Sequence, residues 1–172
     1  MTKIFLIIII LITQTACGLA QAKYALRVDL GGLIFQNNTV DVDPGPGWKG
    51  DNLNEQQNGL FLECINGISI KQKLNLGVGV GWLNFEGIQG YSLYGDFQYL
   101  PLRSKLTPLI GAKFGTTHIW NQYQDGQSTA LVDFSAGISY KLNKKIGISL
   151  SSGVTFTQHA LLLPLRLGLQ IR

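Results

Sequence analysis

Side chains able to carry out chemistry are few in this chain, and their spacing does little to assemble them. His118 and His159 are its two histidines, the side chains whose unperturbed titration falls near neutral pH. His118 follows Thr116-Thr117 and His159 follows Thr157-Gln158, with no histidine-x-serine or paired-aspartate pattern beside either. Nucleophilic catalysis needs nucleophile, base and orienting group within hydrogen-bond reach, so no catalytic residue is expected. The segment Asp41-Val42-Asp43-Pro44-Gly45-Pro46-Gly47-Trp48 alternates acids as calcium loops do. It lacks the third oxygen ligand and the terminal Glu of an EF-hand loop. Pro and Gly clusters punctuate loops, and Trp48 in such a loop is the residue expected to contact a partner, as exposed aromatics often do. No metal and no cofactor is implied.

Of the two cysteines, Cys17 lies in an N-terminal segment with the grammar of a secretory signal. Lys3 supplies the positive start, Ile4–Ile12 the apolar core, and Ala20-Gln21-Ala22 a small-x-small cleavage site. The apolar run is too short for a spanning helix, which takes roughly 20 residues. Residues 1–22 are therefore expected to be a cleaved signal peptide, and residues 23–172 one domain. The alternative is lipidation at Cys17, whose context Gln14-Thr15-Ala16-Cys17 has a polar Gln where such signals usually carry Leu or Val. Cleavage after Ala22 leaves Cys64 without an intramolecular partner, which excludes a disulfide scaffold.

The elements that must position everything else are strands. No later segment is apolar enough for a membrane-spanning helix, so any insertion is as strands. Period-two runs bounded by turn residues recur from residue 24 onward. Eight are expected: Tyr24–Gln36, Gly59–Ile70, Leu74–Phe85, Tyr91–Pro101, Thr107–His118, Thr129–Leu142, Ile146–Thr157 and Leu161–Ile171. Connections after the second, fourth and sixth runs are short and basic: Lys71-Gln72-Lys73, Leu102–Leu106 and Asn143-Lys144-Lys145. The others are more varied and include the long Asn37–Asn58 and Ile119–Ser128 stretches. Short turns on one side and longer loops on the other are the asymmetry of outer-membrane barrels.

One face of each run is apolar and the other polar. The eighth sets Leu161, Leu163, Leu165, Leu167, Leu169 and Ile171 against Leu162, Pro164, Arg166, Gly168, Gln170 and Arg172. The polar faces carry Arg27, Asp29, Glu63, Asp96, Lys113, Asp133 and Arg166 among many Gly and Ser. Glycine numbers 21, and charged residues are only 14 % of the chain. Small residues in a narrow lumen leave room for a few long charged side chains to pair, whereas a soluble surface carries denser charge. Arg27 and Arg166 are expected to meet Asp29 where the last run closes on the first, and Asp96 to meet Lys113. On the apolar faces, Tyr24, Tyr99 and Tyr140 fall near one rim and Trp82, Tyr91, Trp120 and Phe156 near the other. Such paired belts are the signature of rings at both headgroup layers.

The stretch Ser92-Leu93-Tyr94-Gly95-Asp96-Phe97-Gln98-Tyr99-Leu100 leads through Arg103-Ser104-Lys105-Leu106-Thr107-Pro108 to Gly111-Ala112-Lys113-Phe114-Gly115. It resembles the small outer-membrane β-barrel domain family, as does the closing Leu165-Arg166-Leu167-Gly168-Leu169-Gln170-Ile171-Arg172. The family's customary final aromatic is Arg172 here. The resemblance implies an eight-stranded barrel and an outer-membrane location; it implies no single activity, because the fold hosts structural proteins, adhesins and a few lipid-modifying enzymes.

The sequence thus points to an all-β, eight-stranded antiparallel up-and-down transmembrane barrel of a bacterial outer membrane. It is expected to be non-enzymatic and monomeric, with a structural or surface-interaction role through its external loops. Eight strands enclose too little space for a diffusion pore. The expected partners are outer-membrane lipids, with periplasmic chaperones and the barrel-assembly machinery during biogenesis. The formal net charge of +4 does not call for nucleic acid, because Lys71, Lys73, Arg103, Lys105, Lys144 and Lys145 fall in the short turns, where anionic headgroups attract them. A soluble barrel holding a small apolar ligand, and a lipid-modifying enzyme acting at the rim, are the competing readings.

Overall fold

The computed structural model describes residues 22–38, 58–120, 126–143 and 145–172. Eight strands follow one another: β1 (Ala22–Asn38), β2 (Gly59–Ile70), β3 (Leu74–Phe85), β4 (Ile88–Tyr99), β5 (Leu106–Ile119), β6 (Gln127–Lys141), β7 (Ile146–Thr157) and β8 (Ala160–Ile171). Each pairs antiparallel with its sequence neighbours, and β1 pairs with β8 to close the barrel. The expected signal peptide as far as residue 21, with Cys17, then Trp48 with the neighbouring Asp41 and Asp43, and Lys144 lie outside the described residues. β1 begins at Ala22, the residue before the expected cut.

Alternation of side-chain chemistry makes these segments strands and also sets their faces. In β4 every second residue is buried, from Ile88 through Gly90, Ser92, Tyr94 and Asp96 to Gln98. The residues between them, including Tyr91, Leu93, Phe97 and Tyr99, are exposed. Closure leaves no free sheet edge, so the backbone donors and acceptors of the wall are consumed in the ladder.

Strand bounds match the periodicity for β2, β3 and β7 and shift by one to three residues elsewhere. The largest shift is at β4, which starts at Ile88 rather than Tyr91 because Phe85 pairs directly with Ile88. Only Glu86 and Gly87 remain for the turn, both in the left-handed region at φ 52° and 103°. A two-residue hairpin of this hand matches the twist of its strands. Gly87 also donates its amide to the Asn84 side chain at 2.8 Å. Gln158 and His159 make a second such turn between β7 and β8, at φ 52° and 56° and without a glycine. Two of the four connections on this side are therefore tight turns, and residues 39–57 and 121–125 carry the longer ones.

A Cβ added at Gly87 would meet nothing within 4 Å, so substitution there tests backbone conformation alone. Gly87→Val should cost about 1–2 kcal/mol, the strain of a left-handed L-residue. The denaturant midpoint of the refolded barrel measures it; an unchanged midpoint would show that this turn has another conformation.

Candidate functional site

The barrel interior collects Arg27, Asp29, Glu63, Asp96, Lys113, Asp133 and Arg166, each no more than 6 % exposed. The strands place them by parity, since residues of one face recur every second position. Cross-strand register then sets a problem: Asp29 lies directly opposite Glu63 on the neighbouring strand. Two carboxylates side by side in a water-poor space repel strongly, and a cation between them is the remedy.

That cation comes from across the lumen. The Lys113 ammonium bonds the Glu63 carboxylate and stands 3.9 Å from Asp29. Arg27 likewise bridges Asp29 to a third carboxylate, with Nε 3.0 Å from Asp29 Oδ2 and Nη2 2.6 Å from Asp96 Oδ1. The result is an alternating chain: Asp96, Arg27, Asp29, Lys113, Glu63. Arg166 forms a separate pair with Asp133, which Thr155 also donates to.

Of the expected pairs, Arg27 with Asp29 forms, and two others differ. Asp96 is bonded to Arg27 instead of Lys113, although Lys113 is its cross-strand neighbour, and Arg166 is bonded to Asp133 instead of Asp29. The expectation rests on neighbouring strands and height, but in so narrow a lumen long side chains meet across the axis as readily as along the wall. Glycines make the room. A Cβ at Gly168 would come within 2.5 Å of Asp29 Oδ1, and one at Gly79 within 2.4 Å of the Tyr94 ring.

Tyr94 is a lumen residue that parity alone could have found, two positions before Asp96 on the same face. Its ring carries the Lys113 ammonium 4.9 Å from the centroid, a cation–π contact. Parity likewise marks an apolar plug that attention to the charges passes over. Leu33, Phe61, Leu83, Phe85, Ile119 and Leu162 pack together inside the barrel at the end away from the basic turns. Gln158 reaches inward at that end, donating to the Gln127 carbonyl at 3.2 Å and to Thr117 Oγ1 at 3.1 Å. Voids among the lumen side chains are only about 10 and 20 Å³, each enough for about one water. A seal of this kind blocks diffusion of solutes.

The aromatic residues expected at the rims all face outward, between 40 % and 59 % exposed. Tyr91 and Trp120 flank His118, with centroid separations of 5.4 Å from Tyr91 and 5.5 Å from Trp120. His118 Nδ1 is also 2.8 Å from the Ser128 hydroxyl, its cross-strand partner. The sequence hid this pairing because ten positions and a turn separate the two residues. His159 is 3.4 Å from the Gln127 amide. Among the described residues, the side chains bonded to the histidines are the Ser128 hydroxyl and the Gln127 amide.

The Asp133–Arg166 pair offers a clean energetic test. Arg166→Leu strands a buried carboxylate and should cost about 3–5 kcal/mol, while Arg166→Leu with Asp133→Leu should cost less than the single change. Chemical denaturation of the four-member cycle reads this, and additive costs would show that the two charges do not interact.

No family model matches the sequence, and no curated protein matches it. Solved structures with a similar fold do exist. Neisserial surface protein A is similar with a TM-score of 0.67 and 12 % identity, over 87 % of this chain and 97 % of that one. A de novo designed transmembrane β-barrel gives a TM-score of 0.45 at 14 % identity, over 86 % and 94 %. The attachment invasion locus protein of Yersinia pestis, Ail, gives 0.46 at 10 % identity, over 88 % and 98 %. The likeness to the Neisserial protein shows the fold: the chain has the eight-stranded closed barrel that its resemblance to small outer-membrane barrels implied.

Proposed function

We propose that the chain is an integral protein of a bacterial outer membrane, non-enzymatic, acting as a structural or surface-interaction protein through its longer external loops. One observation carries this reading: the barrel is polar inside and apolar outside. Val78, Val80, Leu93, Phe114, Leu150 and Leu167 are between 48 % and 60 % exposed, while the ion pairs among the described residues lie in the lumen. Soluble monomers rarely expose apolar patches beyond a few hundred Å². A soluble barrel with an apolar ligand cavity would have the opposite polarity, and the apolar plug leaves such a ligand no room.

Dimensions agree with this. Five of the strands have 12 residues, about 40 Å of extended chain, which at a tilt near 40° rises about 30 Å, the thickness of a bilayer's hydrocarbon. Outer-membrane lipids would meet the apolar band, and the basic turns would meet anionic headgroups, each cation contributing on the order of 1 kcal/mol. The similar Neisserial barrel is by name a surface protein, and Trp48 remains the proposed loop contact here. His118, held among aromatic rings, serves the rim rather than catalysis.

Fractionated cells should place the protein in the outer membrane as a band whose gel mobility changes on boiling. Recovery in the soluble fraction, with one mobility, would refute the reading. Leu167→Arg, on the lipid-facing side, should cost about 2–4 kcal/mol in bilayers. A His118→Ala, His159→Ala double variant should leave the membrane's lipid profile unchanged; an altered acyl composition would make the protein an enzyme.

A further inference from the structure

The end of the barrel opposite the apolar plug is built differently. A cleft of about 270 Å³ is lined there by Arg103, Lys105, Lys141, Lys145 and Arg172, with Gln72, Leu142, Asn143 and Ile146. Five cationic side chains converge, and among the described residues no acidic side chain lines the cleft. Arg103 and Lys105 come from the connection between β4 and β5, Lys141 ends β6, Lys145 lies in the connection to β7, and Arg172 follows β8. Gln72 comes from the turn between β2 and β3, which in a closed ring of eight lies opposite the β6–β7 turn. A cleft touching both must cross the mouth of the barrel from one side of its rim to the other.

Gathering like charges in one concavity is unfavourable unless something negative fills it. The donors are partly set in place. Lys141 Nζ donates to the Arg103 carbonyl at 3.1 Å, which leaves two of its three N–H groups for another acceptor. Arg172 Nη2 donates to Gln170 Oε1 at 2.6 Å, while its buried Nε has no hydrogen-bond partner among the described residues. Guanidinium forks and ammonium groups together match a tetrahedral oxyanion. The volume lies just under the range of drug-sized ligand sites, about 300–1,000 Å³, which holds one or two phosphate groups and is too small for a whole lipid.

We propose that this mouth is a binding site for a phosphate-type oxyanion, supplied either by a free phosphate or diphosphate or by the phosphodiester of a lipid headgroup. The site depends on the short-turn end of the barrel and not on the outer-membrane location, so the two can fail separately.

The test uses the full-length protein in phosphatidylcholine nanodiscs, titrated calorimetrically with pyrophosphate at low ionic strength. Parallel nanodiscs containing phosphatidylglycerol are followed by native mass spectrometry for retained lipid. Saturable pyrophosphate binding identifies a free anion as the source, and retained phosphatidylglycerol without it identifies the headgroup; either supports the site. Arg103→Gln with Lys145→Gln removes two exposed cleft cations. Losing these charge-assisted hydrogen bonds should weaken binding about tenfold or more. Lys71→Gln with Lys73→Gln removes equal charge from the same end but outside the cleft, and should change affinity less than about twofold if attraction is local. No saturable binding of either probe, or equal losses in the two variants, would overturn the site. The boiled and unboiled mobilities of each variant establish that it is folded.

Discussion

Inside a barrel of eight strands there is room for side chains and little else, and each polar group enclosed there must find its partner among the others. That constraint organises this molecule. Asp29 and Glu63 face each other across adjacent strands, an arrangement that folding tolerates only because Lys113 reaches over from β5 and Arg27 extends from β1 toward β4. The alternating chain ties four strands through the lumen, in addition to the ladders that join neighbours around the wall. Glycines at positions 79 and 168 belong to the same solution, since a side chain at either would occupy the space of Tyr94 or Asp29.

Along its axis the lumen changes chemistry in three steps. Apolar side chains close the end with the longer connections, ion pairs fill the middle, and Asn75 bonded to Gln98 at 2.8 Å gives way to the cation-lined mouth. This gradient makes the two ends unequal in what they can receive. The plugged end offers its rim and the loops above it, where Tyr91, His118 and Trp120 gather; the opposite end offers a concave, positively charged surface. Solute passage would have to cross both the plug and the ion pairs.

Much of this was legible in the residues. Period-two alternation fixes which face each side chain takes, so Leu167 and Arg166 separate without any knowledge of the fold, and the short basic turns announce the polarity of the barrel. Partners within the lumen were not legible. Parity says that Asp96 and Lys113 share the interior, but only the closed geometry shows that Arg27 reaches Asp96 first. The apolar plug escaped for a related reason: Phe61 and Glu63 lie on one inward face, and that face is not chemically uniform from end to end. The His118–Ser128 contact needed the register of β5 on β6, and the tight Gln158-His159 turn carries no glycine to signal it. The basic cleft was visible only as scattered turn residues until closure brought three connections and Arg172 to one mouth.

On the proposed reading, the outward face of this barrel is the one that meets hydrocarbon. Cys64 tests it directly, because it is exposed midway along β2 and opposite Val28 and Val80. In the chain from residue 23 onward Cys64 is the one cysteine, and a fluorophore on it can be read in bilayers of lipids brominated at successive chain depths. Strongest quenching near the bilayer centre, with no quenching by aqueous iodide, is the predicted result. Free access of iodide with no response to the brominated chains would contradict a lipid-facing wall and require some other covering for the apolar face.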